Sequence, residues 1–209
     1  MGDLIFYTNP MSRGRIVRWM LEETGVPYET RIVGYGPEMK SEDYRKVNPV
    51  GKVPALVHDG KIVTECAAIC LYLADAFPDA GLAPEPKDRA DYYRWMFFTA
   101  GPMESCLTHR SMGHEVPEER RQSVGFAAYD EMLDAIEHAI AGKTHIANDR
   151  FSAADVYVGA NLGFGMQFGT IEHRPAFETY VAGLQSRPAF KRAIEIDEKL
   201  MPAQPAAAS

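Results

Sequence analysis

The chain has 209 residues, of which 46% are hydrophobic and 24% are charged, the balance of a soluble globular protein. Its net charge of −7 comes without a basic stripe, which argues against nucleic acid as a main partner because phosphate binding needs clustered cations. No apolar run is long enough to span a bilayer and the N-terminus lacks a cleavable secretory signal, so we expect a cytoplasmic protein with no membrane partner.

The first part of the chain, residues 1–77, alternates strand patterns with helix patterns. In chain order the predicted strands are DLIFYT, PYETRIV and the two arms of PALVHDGKIV. The predicted helices are RGRIVRWMLEETG, SEDYRKVN and ECAAICLYLADAF. The resulting order, β-α-β-α-β-β-α, predicts an α/β thioredoxin-like domain with a mixed sheet.

Particular residues mark the ends of these elements. Gly25 suits the C-cap of the first helix, and Ser41 suits the N-cap of the second. Asp59-Gly60 supplies the positive φ angles that a tight hairpin turn requires.

The rest of the chain carries only helix patterns. A proline-rich linker is predicted at residues 78–88, an all-helical domain at 89–200 and a disordered tail at 201–209. Gly101-Pro102 should kink the first long helix, and a second helix is predicted from Pro117 to Gly142. Ser152, followed three residues later by Asp155, should cap the helix that follows it.

The three cysteines, Cys66, Cys70 and Cys106, cannot all pair and are expected to be reduced thiols in the cytosol. The histidines are scattered and no zinc-type spacing of ligands occurs, so we expect no metal site.

Three motifs in order, NPVGKVPAL, TECAAICLYLAD and FSAADVYVG, together with the two-part layout, resemble the cytosolic glutathione transferases, in particular bacterial members of the serine or tyrosine type. The resemblance covers essentially the whole chain. It implies that residues 1–77 bind glutathione, which is a co-substrate here, without any metal or prosthetic group. It also implies a two-fold homodimer and a role in detoxification.

The resemblance also implies the contacts of the tripeptide. In the family, the proline that matches Pro54 is cis. The residue before it, here Val53, presents its main chain to the cysteinyl part of glutathione, which pairs with it as an added strand. The Cys66 amide at a helix N-terminus suits the γ-glutamyl carboxylate, and the Glu65 carboxylate suits the ammonium group. Lys52 can approach the glycyl carboxylate.

The family usually has serine where this chain has Cys66. A thiol donates more weakly than a hydroxyl, so the γ-glutamyl end is expected to be held somewhat less firmly. Two alternatives stay open for the Cys66 thiol itself. It reacts with a bound disulfide, or it is only a small half-buried side chain without special chemistry.

Members of the family stabilise the thiolate of glutathione with a tyrosine, serine or cysteine near the first helix. No cysteine occurs in FYTNPMSRGR, so Ser12 and Tyr7 compete. We favour Ser12, which directly precedes the predicted helix RGRIVRWMLEETG. An ordinary role as a helix cap explains a serine at this position about as well. Asn9 and Arg13 are weaker binding candidates, and Arg13 can raise the local positive potential.

The second substrate is expected to meet soft apolar side chains. We assign Met11, Phe97 and Met103 to this pocket, because methionine suits varied ligands. Tyr93, Met112 and Met166 are further candidates. All of these residues are equally suited to a hydrophobic core.

Three functions remain open. The first is transfer of glutathione to small hydrophobic electrophiles. The second, glutathione-dependent reduction of disulfides or peroxides, uses the same binding residues. The third is a non-catalytic binding or scaffold module with the same fold, which a failure to bind glutathione would favour.

Overall fold

The computed structural model describes residues 2–201, which form two compact units. Residues 2–73 and 188–201 make up the first unit, and residues 74–187 make up the second. The last helix is thus grouped with the first unit, whereas the sequence analysis counted it with the helical domain. Apart from Met201, the predicted tail lies outside the described residues. Within residues 2–201, no helix is both long and apolar enough to cross a membrane.

The first unit is built on a four-stranded mixed sheet. Its strands are β1 (Leu4–Thr8), β2 (Glu29–Ile32), β3 (Ala55–His58) and β4 (Lys61–Thr64). They lie in the order β2-β1-β3-β4, with β1 parallel to β2 and antiparallel to β3, and β3 antiparallel to β4. The helices of this unit are α1 (Gly14–Thr24), α2 (Glu42–Val47), α3 (Cys66–Ala76) and, from the end of the chain, Pro188–Lys199. The predicted element order is confirmed.

The predicted helix ends and turn of this unit are also confirmed. Gly25 ends α1 in the left-handed conformation at φ 69°, and the Ser41 hydroxyl accepts a hydrogen bond from the Tyr44 amide at 3.2 Å. Asp59 and Gly60 have φ angles of 50° and 75°, as a tight two-residue hairpin turn requires.

Helix α1 carries a buried ionic contact to the last helix of the chain. The Arg18 guanidinium is fully buried and donates from Nε to Asp197 at 2.9 Å. It also donates to the hydroxyls of Tyr28 at 3.2 Å and Thr30 at 2.8 Å. Because a buried charge needs partners, these contacts explain why the last helix is grouped with the first unit.

Tyr28 gives this network a measurable pH dependence. Burial raises the pKa of Tyr28 to about 12, against an opposing hydrogen bond from Arg18. Because the pKa of Tyr28 is higher in the folded state than in the unfolded state, the protonated phenol contributes fully to stability below pH about 10. This contribution to the unfolding free energy is lost as the pH rises to about 12. We therefore expect Tyr28→Phe to show a smaller fall in unfolding free energy over that interval in urea titrations. Tyr35→Phe, at an exposed tyrosine, should follow the unmodified protein; equal slopes for all three proteins would contradict the assignment.

The second unit, residues 74–187, contains helices joined by loops and no strand. Its helices are α4 (Ala90–Phe98), α5 (Glu104–Ser111), α6 (Tyr129–Ile140), α7 (Ala153–Gln167) and α8 (Pro175–Gln185). The last helix of the chain, Pro188–Lys199 of the first unit, is numbered α9. A π-helical turn, Thr99–Met103, joins α4 to α5 and contains Pro102. Proline removes a helical hydrogen bond, so the predicted interruption at Gly101-Pro102 has this form.

The helix predicted from Pro117 to Gly142 is wrong in its first half. Only a 3-10 helix, Glu118–Ser123, forms there, and α6 begins at Tyr129. The segment before α6 is largely exposed and contains Gly125, so little buried apolar surface offsets the poor helix propensity of glycine. The Glu131 carboxylate accepts the Ala128 amide at 3.0 Å and thereby fixes the start of α6.

Candidate active site

Three chain segments that carry candidate residues meet at one edge of the sheet. The register pairs Tyr7 of β1 with Ala55 of β3, and Ala55 with Thr64 of β4. The end of β1, the start of β3 and the end of β4 are therefore adjacent, because both strand pairs are antiparallel. The Cys66 thiol, at 3.7 Å from the main-chain oxygen of Arg13, joins the start of α3 to the turn before α1.

The start of β3 offers its main chain to a ligand. The Val53–Pro54 peptide bond is cis. Among residues 2–201, no protein group forms a hydrogen bond with the N–H or C=O of Val53, and its side chain is only partly buried. An extended peptide could pair with these two groups as an additional strand does.

The loop before Val53 is held firmly by residues that the sequence analysis did not single out. The Lys52 carbonyl accepts hydrogen bonds from the Tyr44 hydroxyl at 2.7 Å and from the Asn48 side chain at 2.8 Å. The Lys40 ammonium donates to the carbonyls of Val50 and Gly51 at 2.9 and 2.8 Å. The Lys52 side chain itself is exposed.

Ser12 lies in the turn between β1 and α1. Its hydroxyl donates to the main-chain oxygen of Asn9 at 2.7 Å and accepts from the Gly14 amide at 2.9 Å. The same Asn9 oxygen also accepts the Ser12 amide at 3.0 Å. The hydroxyl proton can therefore turn to another acceptor while Asn9 keeps a hydrogen-bond partner. Arg13, the next residue, is exposed.

The Asn9 side chain is directed into the protein. It is 8% exposed, donates to the Val33 carbonyl at 3.0 Å and accepts from the Met11 amide at 3.0 Å. Its polar atoms thus hold the turn that carries Ser12.

The Tyr7 side chain points to the opposite face of the sheet from those of its neighbours Phe6 and Thr8, which are fully buried. Its hydroxyl accepts a hydrogen bond from Arg31 of β2 at 2.9 Å, and its ring lies 5.8 Å from that of Tyr44. Burial raises the pKa of Tyr44 to about 12, so this second hydroxyl is neutral at physiological pH.

Glu65 has an unusual backbone conformation. Its φ is 68°, in the left-handed region that favours glycine, and its side chain is exposed. It directly precedes α3, whose first amides have no acceptor within the helix. A non-glycine residue in this conformation costs about 1–2 kcal/mol and is often found where a ligand binds.

The candidates for the second-substrate pocket differ in exposure. Met11 of the first unit and Phe97 of the second are 55% and 62% exposed. Met103 is 1% exposed and Met166 is 9% exposed, so both lie in the core of the second unit. Tyr93 and Met112 are 41% and 55% exposed.

Comparisons with known proteins decide the family. Residues 11–76 match the family model of the glutathione S-transferase N-terminal domain. Glutathione S-transferase GstA of Escherichia coli O157:H7 is 30% identical over 75% of this chain and 79% of its own. The chain belongs to the glutathione S-transferase family. Protein LigF of a Sphingobium species is 29% identical over 84% of this chain and 86% of its own.

A solved structure supports the family assignment. The sphingomonad glutathione S-transferase complexed with glutathione matches with a TM-score of 0.76 and 29% identity, over 93% of this chain and 98% of its own. The predicted fold class is therefore confirmed, a thioredoxin-like sheet with helices and a further helical region. The protein is a transferase, and glutathione is its co-substrate.

The residues that support this transferase's site are not among those predicted from the sequence. Asn48 stands inside the NPVGKVPAL motif, and its polar side chain just before a proline was a usable sign of a turn-stabilising contact. Lys40 and Tyr44 give no such sign, because their contacts depend on how the 3-10 turn Glu38–Lys40 and α2 pack beside the loop.

Proposed function

We propose that this transferase joins the sulfur of glutathione to small hydrophobic electrophiles. The observation that carries the proposal is the main chain of Val53, which has no hydrogen-bond partner among residues 2–201 and lies at the sheet edge where the turn of Ser12 and the start of α3 also lie. A tripeptide thiol bound along this edge would pair its main chain with Val53. One end of it would lie at the N-terminus of α3, and its sulfur would lie near the Ser12 hydroxyl.

Each part of glutathione has a proposed contact. Val53 pairs with the cysteinyl main chain, the Cys66 amide binds the γ-glutamyl carboxylate and Glu65 binds the ammonium group. Lys52 binds the glycyl carboxylate. Pro54 and Asn9 shape the two turns.

The chemistry needs a thiolate, because a free thiol with a pKa of roughly 8.5 is mostly protonated at neutral pH. We propose that the Ser12 hydroxyl donates to the sulfur and that Arg13 adds positive potential. The sulfur then attacks the electrophilic carbon and the leaving group departs, without a covalent enzyme intermediate. Met11 offers exposed apolar surface for the electrophile on the first unit. Phe97, exposed, and Met103, buried in the core, belong to the second unit, and their roles stay predictions. Tyr7 is the alternative to Ser12.

Calorimetric binding of glutathione, followed by turnover of 1-chloro-2,4-dinitrobenzene, tests the proposal. Hydroxyethyl disulfide and cumene hydroperoxide serve as comparison substrates. We expect binding and faster turnover of the chloro compound. Faster reduction of the disulfide or peroxide would favour the reductase function, and absence of binding would favour a scaffold role.

Two companion proposals follow from the family. We propose that the chain forms a two-fold homodimer and acts in the cytoplasm on detoxification substrates. Light scattering coupled to size exclusion chromatography tests the first, with a mass near twice that of the chain expected.

Glu65 provides a prediction in which stability and binding change in opposite directions. Glu65→Gly relieves the left-handed backbone and removes the carboxylate, so we expect unfolding free energy to rise by about 1 kcal/mol. Glutathione affinity should fall about tenfold or more, the size of a lost charge-assisted contact. Urea unfolding and calorimetry measure the two quantities.

Asp59→Gly is the matched control, since Asp59 also has a positive φ, at the opposite end of β3. This variant should gain stability without losing affinity. Equal affinity in both variants would show that Glu65 does not hold the ligand.

A further inference from the structure

The peptide group between Lys52 and Val53 is held on its carbonyl side and open on its amide side. The Lys52 carbonyl accepts hydrogen bonds from the Tyr44 hydroxyl at 2.7 Å and from the Asn48 side-chain nitrogen at 2.8 Å. The Val53 N–H belongs to the same peptide group, and within residues 2–201 no protein acceptor takes its hydrogen. Two donors thus hold one side of a peptide whose own donor is available to a ligand.

The planarity of the peptide bond links these two sides. Among the described residues the one cis peptide bond is Val53–Pro54, so the bond between Lys52 and Val53 is trans. In a trans peptide the C=O and the N–H lie in one plane and point in opposite directions. Side chains that fix the direction of the Lys52 carbonyl therefore also fix the direction of the Val53 N–H.

Both donors are anchored within the first unit. Tyr44 lies in α2 and is 6% exposed, with its ring packed in a cluster with Val33 and Met39. Asn48 directly follows α2 and is 4% exposed. Its amide donates to the Tyr44 carbonyl at 2.9 Å, and its side-chain oxygen accepts from the Val50 amide at 3.1 Å. Because these contacts restrict both side chains, little ordering of them remains to be done when a ligand binds.

The same contacts strengthen the Val53 N–H as a donor. Burial raises the pKa of Tyr44 to about 12, so its hydroxyl keeps its proton at neutral pH and can donate to the Lys52 carbonyl. Hydrogen bonds in a chain polarise one another, and a carbonyl that accepts two of them draws electron density from its own peptide N–H. The Val53 N–H then binds an acceptor on the open side more strongly.

We propose that Tyr44 and Asn48 are positioning residues of this transferase, which direct the Val53 N–H towards the cysteinyl carbonyl of glutathione. The inference rests on the proposed function, because it takes Val53 as the residue that pairs with the tripeptide. It adds that this pairing depends on two side chains that act through a peptide group.

The loop has a second support, which makes this role separable from a merely structural one. The Lys40 ammonium donates to the carbonyls of Val50 and Gly51 at 2.9 and 2.8 Å. Tyr44→Phe leaves these contacts in place and keeps the ring in its cluster. Asn48→Asp keeps the side-chain oxygen that accepts from Val50 and removes the donor to the held carbonyl. Each variant therefore removes one donor and leaves the loop supported.

Two ligands of equal charge test the proposal by calorimetry on the full chain. One is glutathione, and the other is its analogue with a trans alkene in place of the cysteinyl–glycyl peptide group, which lacks the carbonyl that Val53 would bind. We expect the unmodified protein to bind glutathione about tenfold more tightly than the alkene. Tyr44→Phe and Asn48→Asp should each reduce this ratio to about twofold. Because the ligands carry the same charges, the ratio cancels the charge that Asn48→Asp adds.

Tyr28→Phe is the matched control for the loss of a hydroxyl. The Tyr28 side chain is also half-buried in the first unit, but its hydroxyl donates to Glu22 at 2.8 Å. This variant should keep the ratio of the two affinities at about tenfold. Steady-state kinetics give a second readout, since Tyr44→Phe leaves the turn of Ser12 unchanged. The KM for glutathione should rise about fivefold, while kcat and the pKa of the bound thiol stay as in the unmodified protein.

Each other result counts against a particular step. Equal weakening of both ligands by Tyr44→Phe and Asn48→Asp would mean that the two side chains only hold the loop, and it would overturn the inference. Equal affinity of the unmodified protein for both ligands would mean that the Val53 N–H does not bind the cysteinyl carbonyl, which overturns the inference while glutathione binding stands. Absence of glutathione binding to the unmodified protein would overturn the proposed function itself, and the inference with it.

Discussion

Replacing Asp155 with alanine is expected to lower the free energy of unfolding by about 3–5 kcal/mol, the largest stability loss that we predict for a single substitution here. Asp155 is fully buried and accepts hydrogen bonds from three other residues. The donors are the Ile146 amide at 2.8 Å, the Ser152 amide and hydroxyl at 2.9 and 3.2 Å, and the Tyr180 hydroxyl at 2.8 Å.

The size of the effect follows from what alanine leaves behind. These donors stay buried without an acceptor, and each such group costs about 1–3 kcal/mol. Because they belong to the loop before α7, the start of α7 and the middle of α8, one carboxylate connects three parts of the second unit.

Urea unfolding measures the loss, with Ser152→Ala as the control. That variant removes one donor and keeps the carboxylate, so about 1 kcal/mol is expected. Tyr180→Phe should fall between the two. A loss below about 1 kcal/mol for Asp155→Ala would mean that the donors find water or other acceptors.

This pair also shows what the sequence could and could not predict. Ser152 and Asp155 are three residues apart, so their contact follows from helix geometry. The contacts of Asp155 with Ile146 and Tyr180 join positions 9 and 25 residues away. They depend on how the elements pack, which no local pattern encodes.

The same distinction explains the fold predictions. The strands and helices of residues 1–77 were predictable because period, caps and turn residues agreed, as at Gly25 and Asp59-Gly60. The helix predicted from Pro117 failed because proline and acidic residues are suited to a helix start that no buried face then stabilises. The grouping of α9 with the first unit depends on the long-range pair of Arg18 and Asp197.

The candidate site divides in the same way. Val53, Pro54, Glu65 and Cys66 stand in contiguous motifs, and the antiparallel register brings these motifs to one edge. Their roles stay predictions. Which hydroxyl contacts the sulfur was not predictable, since it depends on the direction in which each side chain leaves the backbone.

Ser12→Ala is expected to raise the pKa of bound glutathione towards its free value and to lower the conjugation rate at neutral pH about 100-fold, the effect of removing one donor to a developing or full anion. The Gly14 amide donates to the Ser12 oxygen at 2.9 Å, which polarises the hydroxyl and strengthens it as a donor. Tyr7→Phe should change the pKa of the bound thiol little, because the Tyr7 hydroxyl accepts from Arg31 of β2, on the side of β1 opposite to β3 and Val53.

Ultraviolet absorbance of the thiolate, followed across pH with glutathione bound, measures this pKa in each variant. Ser41→Ala is the matched control, because Ser41 also accepts a backbone amide at the start of a helix but lies outside the candidate site. Its bound thiol should titrate as in the unmodified protein, so that a lost helix cap alone does not explain the result for Ser12.

The three outcomes separate the possible mechanisms. A raised pKa in Ser12→Ala alone assigns the thiolate contact to the serine. A raised pKa in Tyr7→Phe alone would mean that the phenol, whose proton the contact with Arg31 leaves free, donates to the sulfur instead of the serine. If neither variant changes the pKa, the amides at the start of α1 hold the thiolate, since a helix N-terminus stabilises an anion without any side chain.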